Sequence, residues 1–179
     1  MATRTAQNHG GTGRDRAREE LDEDIDRDEI AALVAIANLD EEAAVAYDLV
    51  ALSVDDRELR EMLRSFSADH RRHVRNLDRA LEKLGQARHA SVRAEDGLLP
   101  GLATTMASLH PIAAVNALIA NEHLTNGAYE NALIFVSLLE VQDLLSDQAA
   151  DERRHLEALL AYQEKHIDED VESDIDEAH

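Results

Sequence analysis

Apolar residues recur at alternating spacings of three and four along four long stretches of the chain, the period of helices that bury one face. The first, at about 29–53, sets Leu33, Ala37, Asp40, Ala44, Tyr47 and Ala51 on one stripe. The second, at about 56–84, aligns Leu59, Leu63, Phe66, His70, His73, Leu77 and Leu81 and stops at Gly85, a common helix end. The third, at about 111–135, opens with a proline, tolerated in a first turn, and aligns Val115, Leu118, Glu122, Thr125, Tyr129 and Leu133. The fourth, at about 138–165, aligns Val141, Leu145, Glu152, His155 and Leu159. Ser53-Val-Asp-Asp and Ser137-Leu-Leu-Glu resemble helix starts, the second as a full capping box, so two tight helical hairpins are expected. The stretch 86–110 is too long for a bare loop, and LLPGLATTMASL predicts a short helix within a crossover between the hairpins. The expected fold is all-α, a four-helix bundle over 29–165 with one long crossover connection. Residues 1–28 read as a flexible charged N-terminal arm, too poor in apolar residues to offset the entropy of ordering. Residues 166–179 read as a solvated acidic C-terminal tail, although Ile167, Val171 and Ile175 are spaced to extend the last helix by a few turns.

Each stripe is interrupted by groups foreign to a core: Asp40 on the first helix, His70 and His73 on the second, Glu122 on the third, Glu152 and His155 on the fourth. A lone residue of this kind is ordinarily a satisfied buried or boundary group. These six are not scattered. Asp40, Tyr47, His70 and His73 recur 82 residues on as Glu122, Tyr129, Glu152 and His155, and ADHRRH at 68–73 returns as ADERRH at 150–155. The repeat reads as two duplicated helical hairpins. Residues 40 and 70 lie equally far from residue 55, inside the first expected turn, and 122 and 152 equally far from Ser137 in the second. At ~1.5 Å per residue each group sits about 22 Å from its turn, so all six meet in one layer. His70/His73 and Glu152/His155 are i, i+3 neighbours on one helix face, a spacing that lets two side chains share a metal. Three carboxylates and three imidazoles form either a metal-free polar network or a metal site. Burying unpaired ions costs several kcal/mol, which divalent cations relieve. Asp69, Asp151 and the neighbouring arginines read as a solvated face with local ion pairs, and Asp69 or Glu41 enters as a ligand only if the stripe is rotated by one residue.

Composition narrows the chemistry. Aromatic residues are 3% of the chain, with no Trp and two Pro, against 44% hydrophobic residues, which favours Ala/Leu-packed helices over sheets. The absence of Cys excludes disulfides, Cys-ligated zinc, iron–sulfur clusters and thiol chemistry, so any metal has to use His and carboxylates. A formal charge of -20, from 38 acidic and 18 basic residues, repels phosphate backbones and anionic membranes, so neither nucleic acid nor a membrane is an expected partner. The N-terminus has no apolar run of the signal-peptide kind, and cytoplasmic residence is the expectation.

The combined pattern resembles the ferritin-like superfamily of di-metal carboxylate bundles, which includes bacterioferritin and rubrerythrin. That family places Glu on the first helix, ExxH on the second, Glu on the third and ExxH on the fourth, with an aromatic residue or Tyr seven positions after each lone carboxylate. Glu122, Tyr129 and Glu152-Arg-Arg-His155 match it fully, whereas Asp40 replaces Glu and His70-Arg-Arg-His73 replaces ExxH. NEHLTNGAYENAL (121–133) and FSADHRRHVRNL (66–77) also resemble bacterial ferritin-like domains. The resemblance spans about 29–165. It implies iron, or manganese, bound between four helices with dioxygen- or peroxide-linked oxidation. In that reading Asp40 and Glu122 are terminal ligands, Glu152 is a bridge, and His70, His73 and His155 are nitrogen ligands. Tyr47 and Tyr129 serve as donors to the carboxylates or as radical traps, or else simply as core aromatics bonded to a carboxylate. His70 stands where the family bridges with Glu, and three carboxylates do not balance two divalent ions. An exogenous hydroxide or oxide bridge, a weakly held second ion or a single ion all remain open. The other expected class is a non-catalytic helical bundle acting as a structural or partner-binding, stress-related module. A homo-oligomer is compatible with the pattern, but nothing in it specifies a closed shell.

Overall fold

The structure, a computed structural model, describes residues 27–88 and 111–176, with side chains described for 27–88 and 112–166. It contains four helices, α1 (Arg27–Ser53), α2 (Arg57–Lys83), α3 (Pro111–Phe135) and α4 (Leu139–Asp176), and no strand among the described residues. No described helix is long and apolar enough to cross a membrane.

The local stops and starts follow from side-chain chemistry. Ser53 is the last residue of α1, its hydroxyl donating back to the Val50 carbonyl, and does not start α2 as the sequence suggested. Asp56 caps α2 instead, its carboxylate accepting from the Leu59 N–H at 3.0 Å, because extended backbone at 56 aims that oxygen at the free amides of the first turn. At the other end, Gly85 takes φ +71° and the amides of Gly85 and Gln86 return to the Glu82 and Leu81 carbonyls, a Schellman stop that a side chain at 85 would strain. Ser137 lies between α3 and α4, where its backbone N–H donates to the buried Glu29 carboxylate at 2.9 Å, tying that turn to the start of α1. The first α4 amides bond to the Leu138 carbonyl, one residue past the expected capping serine. Helix α4 runs on to Asp176, eleven residues beyond the boundary at 165, along the spacing of Ile167, Val171 and Ile175. The arm up to residue 26 and the short crossover helix expected near 98–109 lie outside the described residues.

The helices form a ring: α1 packs on α2 and α3, and α4 packs on α3 and α2. Tyr47 reaches Glu122 while Tyr129 reaches Asp40, so α1 and α3 are antiparallel. His73 reaches Asp151 while His155 reaches Asp69, so α2 and α4 are antiparallel too. Helix α2 therefore ends at the opposite end of the bundle from the start of α3, as a single long crossover between hairpins requires.

Two apolar clusters fill the interior. One, around Tyr47, Val50, Leu59, Leu63, Leu118 and Leu159, lies at the α1–α2 turn. The other, around Leu33, Ile36, Leu77, Leu81, Val141 and Leu145, lies at the α3–α4 turn. Each fully buried Leu removes enough apolar surface from water to favour folding by ~1.5–3 kcal/mol. The six polar interruptions of the stripes fall between these clusters.

Candidate metal centre

Asp40, His70, His73, Glu122, Glu152 and His155 are all 0% exposed. The helical period that buries Leu33 and Ala37 also turns Asp40 inward, and the i, i+3 pairs place two groups from α2 and two from α4 side by side. One potential ligand atom from each of Asp40, His70, His73 and Glu152 lies within 4.8 Å of the others. His70, Glu122, Glu152 and His155 make a second such set. The two sets share His70 and Glu152. All six candidates from the sequence therefore converge in one layer.

Few of their polar atoms are satisfied by the protein. The Asp40 carboxylate accepts from Tyr129 at 2.7 Å through one oxygen and lies 2.9 Å from His70 Nδ1 through the other. Tyr47 donates to Glu122 Oε1. Beyond these bonds, His70 Nε2, His73 Nδ1, Glu122 Oε2, both Glu152 oxygens and His155 Nδ1 are buried without a hydrogen-bond partner. Of the seven such side-chain atoms among the described residues, only Asn121 Nδ2 lies outside the layer. Glu152 Oε1 is 3.0 Å from His73 Nδ1 and 3.4 Å from His70 Nδ1, close enough for charge attraction but out of line for a hydrogen bond.

The outward-facing atoms are, by contrast, fixed. His73 Nε2 lies 3.2 Å from Asp151 and His155 Nε2 3.1 Å from Asp69, each bond crossing between α2 and α4. Arg72 pairs with Asp69 and with Asp151 at 2.6 Å, and Arg154 with Asp151 and with Asp69 at 2.8 Å, closing a ring of ion pairs over the two imidazoles. A carboxylate that accepts from Nε2–H fixes the tautomer and turns the Nδ1 lone pair inward. The sequence pattern assigns Asp69 and Asp151 to the solvated face, with Asp69 as a ligand only under a rotated stripe. They do pair with arginines there, and they also orient the histidines of the opposite helix. The visible signal was an Asp directly before the first member of each i, i+3 pair. Glu41 stays outside the layer, 2.8 Å from Arg88. Two further residues touch side chains around the layer, Gln148 from off the stripe and Phe66 from on it. Gln148 accepts from Tyr129 at 3.2 Å and donates to the His73 carbonyl at 3.3 Å. Phe66 stacks on His155 with ring centroids 4.1 Å apart.

Protonation answers the crowding of charge. Burial pushes Glu152 up to about 7, with the Asp40 and Glu122 charges adding to it against the pull of His70 and His73. Burial opposes charge on His70, but the Glu152 charge and the bond to Asp40 overcome it and hold the imidazole protonated well above its usual range. His73 is likewise raised, against burial, to about 9 by Asp40 and Glu152. Burial would raise Asp40, but its bonds to His70 and His73 hold it below the ordinary carboxylate value. Burial and the His70 charge bring His155 down to about 4, which leaves a neutral ring with Nε2–H on Asp69 and a free Nδ1 facing the layer. Burial raises Tyr47 and Tyr129, next to Glu122 and Asp40 respectively, so both remain neutral donors.

Imidazole nitrogen and carboxylate oxygen without sulfur are a donor set that could hold a metal ion such as iron, manganese or zinc. The chain's chemistry has to be read from this geometry: no family model matches the sequence, and no curated protein matches it either.

Proposed function

We propose that the protein is a ferritin-like metalloprotein that holds iron, or manganese, between its four helices and uses it in dioxygen- or peroxide-linked oxidation. The observation that carries this reading is the set of six buried, unpartnered donor atoms aimed at one layer. A folded chain leaves such atoms unpaired at a cost of ~1–3 kcal/mol each. That cost disappears when a cation takes their lone pairs. Asp40 and His73 would hold one ion, Glu122 and His155 the other, and Glu152 and His70 would stand between them. Tyr47 and Tyr129 would fix Glu122 and Asp40 by donating to one carboxylate oxygen each. The bound metal would supply one-electron redox chemistry, and the surrounding apolar clusters would keep bulk water from it.

The same reading includes an internal duplication of one helical hairpin. Support comes from reciprocity between positions 82 apart: Tyr47 bonds Glu122 as Tyr129 bonds Asp40, and His73 faces Asp151 as His155 faces Asp69. The second reading, a metal-free bundle with a structural or partner-binding role, is favoured by the 2.9 Å Asp40–His70 pair, which neutralises part of the layer without metal.

Metal analysis and melting separate the two. Protein stripped with chelator and then supplied anaerobically with Fe(II) should bind metal and melt higher, because a ligand at 100 times its Kd that binds only the native state adds ~2.7 kcal/mol. Aerobic iron addition should also raise near-ultraviolet absorption. Identical melting with and without Fe(II), together with unchanged metal content in Glu152→Ala, would refute the metal reading.

A further inference from the structure

The three histidines of the layer are not equivalent. His73 and His155 each turn one nitrogen outward, onto Asp151 and Asp69, so each has only Nδ1 to offer the interior. His70 has no outer carboxylate. Its Nδ1 lies 2.9 Å from Asp40 Oδ1 and 3.4 Å from Glu152 Oε1, among the first ligand set. Its Nε2 lies 3.5 Å from Glu122 Oε1, in the second set, and has no hydrogen-bond partner. The ring is held in this orientation by stacking on Tyr47, with centroids 5.3 Å apart, and by the edge of His155 at 5.1 Å.

We propose that His70 joins the two metal positions by binding one ion through each ring nitrogen, as an imidazolate bridge. The inference rests on the metal reading above and adds to it the identity of the bridge. Charge supports it independently of distance. Asp40, Glu122 and Glu152 bring three negative charges to two divalent ions, and an imidazolate supplies the fourth. The protons displaced from the ring leave to solvent as the ions enter, so the loaded layer is neutral. With each ion ~2.1 Å from its nitrogen on opposite sides of the ring, the two lie about 6 Å apart, against ~3.5–4 Å for pairs bridged by oxygen. Each position then has two nitrogens and two oxygens: Asp40, His73, Glu152 and one side of His70, or Glu122, His155, Glu152 and the other side. Position 70, the one letter that breaks the ADHRRH/ADERRH repeat, thus sets the spacing of the pair.

Cu(II) is a suitable probe, since imidazole-rich sites favour it and its spin reports on a neighbour. Chelator-treated full-length protein is titrated with Cu(II), freed of excess, and examined for copper content, electron paramagnetic resonance intensity and X-ray absorption fine structure. The wild-type protein should take up two ions per chain, lose the signal of the first as the second enters through exchange across the ring, and show no copper–copper distance near ~3.5–4 Å. His70→Gln should hold one ion fewer, with undiminished spin per ion, and His70→Glu should restore two ions at the shorter distance. A wild-type copper pair at ~3.5–4 Å, a single copper in the wild type, or two exchange-coupled ions in His70→Gln would overturn the bridge and leave the metal reading intact. If the wild type takes up no copper and no Fe(II), the metal reading falls, and the bridge with it. The wild-type distance and stoichiometry decide the matter even if the variants do not fold.

Discussion

Replacing Glu152 by Gln should make the metal-free protein more stable in neutral and mildly alkaline solution while abolishing its response to metal. Glu152 is 0% exposed, neither of its oxygens has a hydrogen-bond partner, and its carboxyl is raised from an ordinary 4.5 to about 7. A carboxyl raised in the native state lends stability that is fully present below its unfolded value and is lost as pH climbs through the folded one. The loss therefore develops between about pH 4.5 and 7 and amounts to about 3 kcal/mol above that window, from the shift in the native state. Gln keeps the shape of the protonated acid and cannot ionise. Chelator-treated Glu152→Gln should then match the wild type near pH 4.5 and exceed it by about 3 kcal/mol at pH 8, or ~6–12 °C in melting temperature for a chain of this size. With Fe(II) the order should reverse, because the wild type gains the binding free energy and the variant lacks the charge and the second oxygen of the residue that belongs to both ligand sets. Calorimetry at several pH values, with chelator and with Fe(II), checks both halves. Parallel pH profiles for the two chelated proteins would show that Glu152 carries no uncompensated charge. An equal metal-induced shift in both would show that it is not a ligand.

Asp151→Asn and Asp69→Asn should each weaken metal binding by ~10–100-fold in equilibrium titrations while leaving the stoichiometry unchanged, since they remove the carboxylates that orient His73 and His155 without touching the donors themselves. Tyr129→Phe should lower chelated-protein stability in urea by about 1–3 kcal/mol, because it strips the buried Asp40 carboxylate of its 2.7 Å donor. Leu145→Ala, in the apolar cluster away from the layer, should cost ~2–5 kcal/mol in the same assay yet leave metal stoichiometry unaltered, which distinguishes loss of packing from loss of the site.

The stripe period and the polar residues that interrupt it were legible in the sequence because a helix face is fixed by backbone geometry, and that geometry brings Asp40 and Glu152 inward with the leucines around them. The outer contacts were less legible. Whether Asp69 serves an arginine on its own helix or a histidine on another depends on how closely α2 and α4 approach, and here it serves Arg72, Arg154 and His155 at once. The capping residue of α2 was less legible for a related reason, although the helix starts where its stripe put it, near residue 56. Ser53 and Asp56 both have capping side chains, and what selects Asp56 is that Ser53 remains helical and returns its hydroxyl to Val50, a choice made by backbone conformation.

Where the 82-residue sequence repeat breaks is itself informative about the chemistry. Leu63 and Leu145, or Leu77 and Leu159, stand 82 residues apart, are all buried, and keep the same side chain. In and beside the layer the exchanges are Asp40 against Glu122, His70 against Glu152, and Phe66 against Gln148. The last of these makes the two ligand sets unequal in a definite direction. Gln148 and Tyr129 give Asp40 a polar, hydrogen-bonded surrounding, while Phe66 gives His155 an aromatic face and no donor. The first set therefore lies in the more polar half of the layer and the second in the more apolar one. A more apolar surrounding favours loss of charge from the site. If metals occupy both positions, the ion beside His155 and Phe66 should be the harder one to oxidise. Exchanging Phe66 for Gln should narrow the difference, and two resolved redox steps drawing together in an equilibrium titration would be its signature.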